Sequence, residues 1–264
     1  MAKLSVCIEG IGVLGPGLCD WPASAAVLAG ASPYICARTV LPPPDALPAA
    51  ERRRAGRVIK LALGVGAEAV SQSGRDARGL PGVFSSSGGD GDNCHAICEA
   101  LAGSERLISP TRFHNSVHNA VAGYWSIAYG CAEASVTVCA FDASFAAGLL
   151  EASSQVTHNG CPVLLLAYDV DYPSPLYEQR PIADACALSL LLSPADSPNA
   201  LAVITLALSQ QPATRFDDPE LESLRLSIPA ARGLPLLQQL ARSRSGTVFL
   251  DYLDTARLAV EIQV

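Results

Sequence analysis

The stretch Ala134-Ser135-Val136-Thr137-Val138-Cys139-Ala140-Phe141-Asp142-Ala143-Ser144 carries the decision about the fold. Residues 135–140 alternate β-branched and small side chains, the pattern of a buried strand. From Asp142 to His158 the chain is alanine-rich and reads as a helix, and Asn159-Gly160 supplies its stop. A strand running directly into a helix is a building unit of α/β folds. The same alternation extends in both directions. Strand-like runs fall at 4–8, 82–86, 162–168, 188–192, 201–208, 247–253 and 258–264, and helical stretches at 51–71, 93–103 and 119–129. Such an order predicts an α/β fold with a largely parallel sheet covered on both faces. The glycine-rich run Gly10-Ile11-Gly12-Val13-Leu14-Gly15-Pro16-Gly17 reads as a tight turn after the first strand. It lacks the full dinucleotide fingerprint. Residues 41–48, with four prolines, read as an exposed loop.

Composition excludes several function classes. Of the 264 residues 50% are hydrophobic and only 16% charged, so the chain can bury a large core and still leave apolar surface for a partner. A net charge of −7 argues against nucleic acid, whose phosphates need a basic face. No apolar run reaches the length of a membrane span: 185–192 ends at Ser193-Pro194, and 200–208 starts only after Asp196. Glu9 interrupts the N-terminal apolar run, so residues 1–8 read as a first strand rather than an export signal. Nine cysteines without a CxxC pair then point to reduced thiols and a cytoplasmic protein.

Residues 108–130, Ile-Ser-Pro-Thr-Arg-Phe-His-Asn-Ser-Val-His-Asn-Ala-Val-Ala-Gly-Tyr-Trp-Ser-Ile-Ala-Tyr-Gly, resemble the N-terminal half of the β-ketoacyl synthases. Members of that family show an Ile-Ser-Pro start, an Asn-x-x-Ala-Gly helix and a Tyr-Gly or Leu-Gly turn at this spacing. Residues 134–144 are similar to the family's Pro-Ser-x-x-x-x-Thr-Ala-Cys-x-Ser segment, which places Asp142 on the nucleophilic cysteine. The likeness extends over residues 1–192 and is sharpest over 108–144. It implies a thiolase-like fold, in which two similar halves pack as five layers. Under this resemblance the C-terminal half reads as truncated: one ketosynthase-like domain is expected, with a core at 1–192 and a reduced second half at 193–264.

The departures from the family matter as much as the matches. A ketosynthase cysteine sits at a helix N-terminus, where the dipole favours the thiolate and backbone N–H groups stabilise an oxyanion. Asp142 suits that dipole but cannot carry an acyl chain as a thioester. His158 is the single histidine among the 122 residues that follow Asp142, so the family's downstream histidine pair is missing. These absences resemble the chain length factors, non-catalytic subunits that pair with an active ketosynthase and shape its acyl tunnel. The segment 109–119 is most like the short bacterial version found in aryl polyene and xanthomonadin-type pigment clusters.

The resemblance implies a heterodimer with a ketosynthase, indirect contact with an acyl carrier protein, and no cofactor. The family's strand before the nucleophile, here 135–140, pairs with its counterpart across a two-fold axis. The partner-interface and tunnel residues are then Phe113, Val117, Asn119, Tyr124, Trp125, Val136, Val138 and Phe141. Asp142 reads as the cap of its helix, with no catalytic role. Two alternatives stay open. One is an acyltransferase or hydrolase of the same fold using Asp142 or Cys139. The other is a zinc-dependent interaction module, because Cys94-x3-Cys98 and His114-x3-His118 mimic zinc-ligand spacing. The cluster Arg52, Arg53, Arg54 and Arg57 reads as a solvated helix start, with carrier-protein docking as the weaker reading. Ser85-Ser86-Ser87-Gly88-Gly89 reads as a strand-ending turn rather than an oxyanion loop.

Overall fold

The computed structural model describes residues 4–264, so Met1–Lys3 of the expected first strand lie outside the described residues. The strands are β1 (Leu4–Leu14), β2 (Gly82–Ser85), β3 (Ser135–Val138), β4 (Val163–Asp169), β5 (Cys186–Pro194), β6 (Ala202–Ser209), β7 (Gly246–Asp251) and β8 (Arg257–Gln263). All join one sheet in the order β3-β2-β4-β5-β1-β6-β8-β7. The expectation of a largely parallel sheet is corrected: only β2 pairs in parallel, with β3 and β4, and every other pairing is antiparallel. The reason is connectivity. Parallel neighbours need a long crossover, as α7 supplies between β3 and β4, whereas β7 and β8 are joined by a short hairpin turn at 252–256. The C-terminal strands β6, β8 and β7 extend this same sheet past β1 instead of building a second sheet.

The helices are α1 (Trp21–Ala29), α2 (Ala49–Arg52), α3 (Arg57–Ser73), α4 (Gly91–Ala102), α5 (Pro110–Asn115), α6 (Ala120–Tyr129), α7 (Ser144–Asn159), α8 (Leu176–Gln179), α9 (Pro219–Ser227) and α10 (Leu234–Ala241). Two apolar cores flank the sheet. One joins Val163, Leu165 and Ala167 of β4 to Phe145, Leu149 and Val156 of α7. The other joins Leu164, Leu166 and Tyr168 of the same strand to α3 and to Tyr124 and Trp125 of α6. β4 is buried along its whole length, which explains its unbroken apolar sequence. β6 alternates buried and partly exposed residues, because only one face of the C-terminal strands is covered.

The glycine-rich run is not a turn after residue 8. β1 continues through it to Leu14, with a bulge between Ile8 and Gly10. The bulge keeps Val6, Ile8, Ile11 and Val13 in one core despite the extra residue. Gly10 and Gly12 instead face α3, whose backbone rests directly on the strand. A Cβ at Gly10 would lie 2.0 Å from the Ala69 carbonyl oxygen, and one at Gly12 would lie 2.1 Å from that of Val65. Pairing with β6 ends at Ile8, and α3 takes over the vacated edge. The Ile11 N–H donates to Gln72 Oε1 at 2.7 Å and the Val13 N–H to Glu68 Oε2 at 3.0 Å. At the bulge the buried Glu9 carboxylate accepts from Arg75 Nε at 2.5 Å and Nη2 at 2.8 Å. This pairing holds its pKa down to about 2.

Candidate functional site

The segment 134–144 folds as a strand, a turn and a helix start. β3 is the sheet's terminal strand and pairs only with β2, so among the described residues its outer edge is open. The Gly82 N–H donates to the Ala134 carbonyl at 3.0 Å and the Ser86 N–H to the Val138 carbonyl at 3.1 Å. In a parallel ladder that parity turns the peptide groups of Ser135 and Thr137 outward. Past the strand the chain makes a 3-10 turn, Phe141–Ala143, and α7 begins at Ser144. Phe141 holds a left-handed φ of 51°, uncommon for a residue with a Cβ. The residue stays 62% exposed.

The expected capping role of Asp142 is corrected, because α7 has no side-chain cap. The hydroxyl of Ser144 serves the turn instead: it accepts from the Ala140 N–H at 3.1 Å and donates to the Phe141 carbonyl at 2.7 Å. That frees the Asp142 carboxylate to point away from the helix. Arg180 Nη2 donates to its Oδ1 at 2.8 Å and Arg232 Nη2 to its Oδ2 at 3.0 Å. Arg232 also pairs with Asp251 at 3.3 Å, and Asp251 with Arg225 at 2.7 Å, so ion pairs run from the turn to β7. The Arg180 guanidinium lies 3.7 Å above the centroid of the Phe141 ring. Both oxygens of Asp142 are thus occupied, and Cys139 gives its thiol hydrogen to the Ser87 carbonyl at 3.2 Å. Neither residue is paired with a base as an activated nucleophile is.

Beneath the turn sits a buried carboxyl that sequence reading missed. Asp169, at the end of β4, accepts from the Ser87 N–H at 2.8 Å and from the Ser87 and Ser86 hydroxyls at 2.7 and 3.3 Å. Ser86 Oγ in turn accepts from the Gly89 N–H at 2.9 Å, so residues 86–89 form an internally bonded turn and not an oxyanion loop. Burial raises the Asp169 pKa to about 6, against the lowering effect of the serine bonds. A carboxyl with a raised folded pKa stabilises most when protonated. Stability is therefore fullest below about 4 and is lost as the pH rises through about 6. Asp169→Asn keeps the acceptor and removes the charge. It is expected to add about 1–3 kcal/mol at pH 8 and to flatten the dependence between pH 4 and 6, read from urea unfolding at each pH.

The other expected site residues separate into two groups. Phe113, Val117, Asn119 and Val136 are exposed, and Val138 is half-buried. Tyr124 and Trp125 are corrected: they are 1% and 2% exposed and belong to the core under α6. The Tyr124 hydroxyl lies 3.1 Å from Asn115 Oδ1, and the Trp125 ring centroid 4.3 Å from that of Tyr129. Neither can touch a partner without repacking the core. Among the described residues, no group of three His, Cys, Asp or Glu is arranged to hold a metal ion. In the basic cluster Arg52 pairs with Asp45, Arg54 with Glu51, and Arg57 with Asp92 and Asp171. No helix among the described residues is long and apolar enough to cross a membrane.

A mixed sheet whose parallel edge strand turns directly into a helix packed on one face is the arrangement of a thiolase-like ketosynthase fold. Residues 28–248 match the β-ketoacyl synthase N-terminal domain, and the chain belongs to that family. Solved structures share the fold at low identity. A chain of the ketosynthase ApeO in complex with its chain length factor ApeC, from Xenorhabdus doucetiae, is 20% identical with a TM-score of 0.73, over 98% of this chain and 99% of that one. A chain of the type II polyketide synthase complex AntDE:AntF, an acyl-carrier protein with its ketosynthase, is 13% identical with a TM-score of 0.76, over 100% of both chains. A β-ketoacyl synthase from Burkholderia phymatum is 15% identical with a TM-score of 0.60, over 91% of this chain and 71% of that one. No curated protein matches the sequence.

Proposed function

We propose that this protein is a non-catalytic chain length factor. It pairs with an active β-ketoacyl carrier-protein synthase and shapes that enzyme's acyl tunnel, in pigment biosynthesis of the aryl polyene type. The observation that carries the reading is Asp142, which this reading aligns with the nucleophile: both of its carboxylate oxygens are held by arginines. Three further features support it. The edge of β3 is open, and the apolar side chains of Phe113, Val117, Val136 and Phe141 stay exposed in the chain alone. The fold is shared over 99% of a chain from a ketosynthase–chain length factor complex, against 71% of a β-ketoacyl synthase chain. In this reading residues 1–192 are the ketosynthase-like core of a single domain, 193–264 the reduced second half, and the protein is cytoplasmic.

Co-expression with a ketosynthase encoded in the same gene neighbourhood, one that keeps its cysteine and histidine pair, tests the proposal. A stable 1:1 complex by size exclusion is expected, with an acyl-carrier crosslinker labelling only the partner's cysteine. A chain that stays monomeric beside that ketosynthase, or labelling of Cys139, would sink it.

A further inference from the structure

Arg180 and Arg232 reach the same point from different segments, one from the loop after β4 and one from the turn before α10. Their side chains are only 20% and 17% exposed. Two guanidinium groups brought this close repel each other unless an anion lies between them. The Nε of each is buried without a hydrogen-bond partner, so the pair holds donors beyond those it uses. The surrounding ion-pair network contains Arg180, Arg225, Arg232 and Arg257 against Asp142, Asp251 and Glu222. Without Asp142, four cations would face two carboxylates. The Phe141 ring floors the site on the Arg180 side. An open cleft of about 460 Å3, walled by Asp142, Arg232, Leu253 and Arg257, connects it to solvent.

We propose that Arg180 and Arg232 form a carboxylate-binding site whose resident ligand is the chain's own Asp142. Planar guanidinium groups suit a planar carboxylate better than a spherical ion. Tethering gives Asp142 an effective concentration that free carboxylates at ordinary levels do not match, so the native chain keeps the site filled. A neutral residue at position 142 opens it to small monocarboxylates such as formate or acetate. The inference stands whether or not the chain pairs with a ketosynthase.

The test is thermal unfolding of full-length Asp142→Ala titrated with sodium formate or acetate, against sodium chloride at equal ionic strength. The variant is expected to melt below the native chain and to regain roughly 2–4 °C, saturably, by about 100 mM carboxylate. Chloride does not restore it, the native chain does not respond, and adding Arg232→Gln abolishes the response. Should Asp142→Ala be insoluble, Asp142→Ser is read in the same way. Equal responses to carboxylate and chloride, or an equal carboxylate response in the native chain, overturn the proposal.

Discussion

Gly12→Ala is expected to destabilise the chain by about 3 kcal/mol or more, enough to send much of it into the insoluble fraction. The conflict is one of space. The new Cβ would sit 2.1 Å from the Val65 carbonyl oxygen and 3.0 Å from its carbonyl carbon, both backbone atoms of α3. A side chain can rotate away from a clash, but a helix backbone can yield only by moving the helix. α3 is packed against β1, β4 and β5 and buries Val58, Ile59, Leu61, Ala62, Val65 and Ala69, so its displacement disturbs the whole second core. It would also pull Glu68 and Gln72 from the β1 N–H groups they accept, leaving buried donors unpaired. Gly123→Ala is the matched control. A Cβ there meets nothing within 4 Å, and alanine favours a helix, so that variant should be neutral or stabilised by up to about 1 kcal/mol. Urea unfolding of the two variants beside the native chain checks the contrast.

That residue also shows where sequence reading succeeds and where it stops. Gly10-Ile11-Gly12-Val13 alternates with period two, as a strand with one bare face does, yet glycines in such a run serve equally well in a turn. Only the helix lying on that face explains the pattern, and a helix some fifty residues away in the chain is not a local signal. The strand–helix alternation around 134–160 was legible because it is set by nearest neighbours. Strand direction was not, since β5 and β6 look like any other apolar runs until their partners are known. Asp142 is the sharpest case. Its position before an alanine-rich helix matches a capping residue, and its arginine partners lie 38 and 90 residues downstream. Tyr124 and Trp125 fail differently: they lie in the stretch most like the family, but burial follows from which face of α6 meets α3.

If the chain pairs with a ketosynthase as proposed, Thr137→Pro is expected to leave it folded while weakening that association by on the order of 100-fold, about 3 kcal/mol. The reasoning starts from the ladder. Ala134 and Val138 carbonyls accept from β2, so the Thr137 N–H and carbonyl point to the open edge and hold no place in the sheet's own bonding. Proline at an outward-facing edge position is tolerated, because the donor it removes was not paired inside the chain. In an antiparallel pairing of β3 with a partner strand the same donor would bond across the interface, and the proline ring would fill the space the partner backbone needs. A lost interstrand bond and a displaced neighbour together reach the stated loss, since burying an unpaired partner carbonyl adds its desolvation penalty. Thr137→Ala keeps the N–H and should bind as the native chain does. The measurement is a pull-down titration with the two variants, alongside far-ultraviolet circular dichroism of each alone. Native affinity in a folded Thr137→Pro chain would place the partner elsewhere on the surface. Equal loss in both variants would mean that the threonine side chain, not the strand edge, makes the contact.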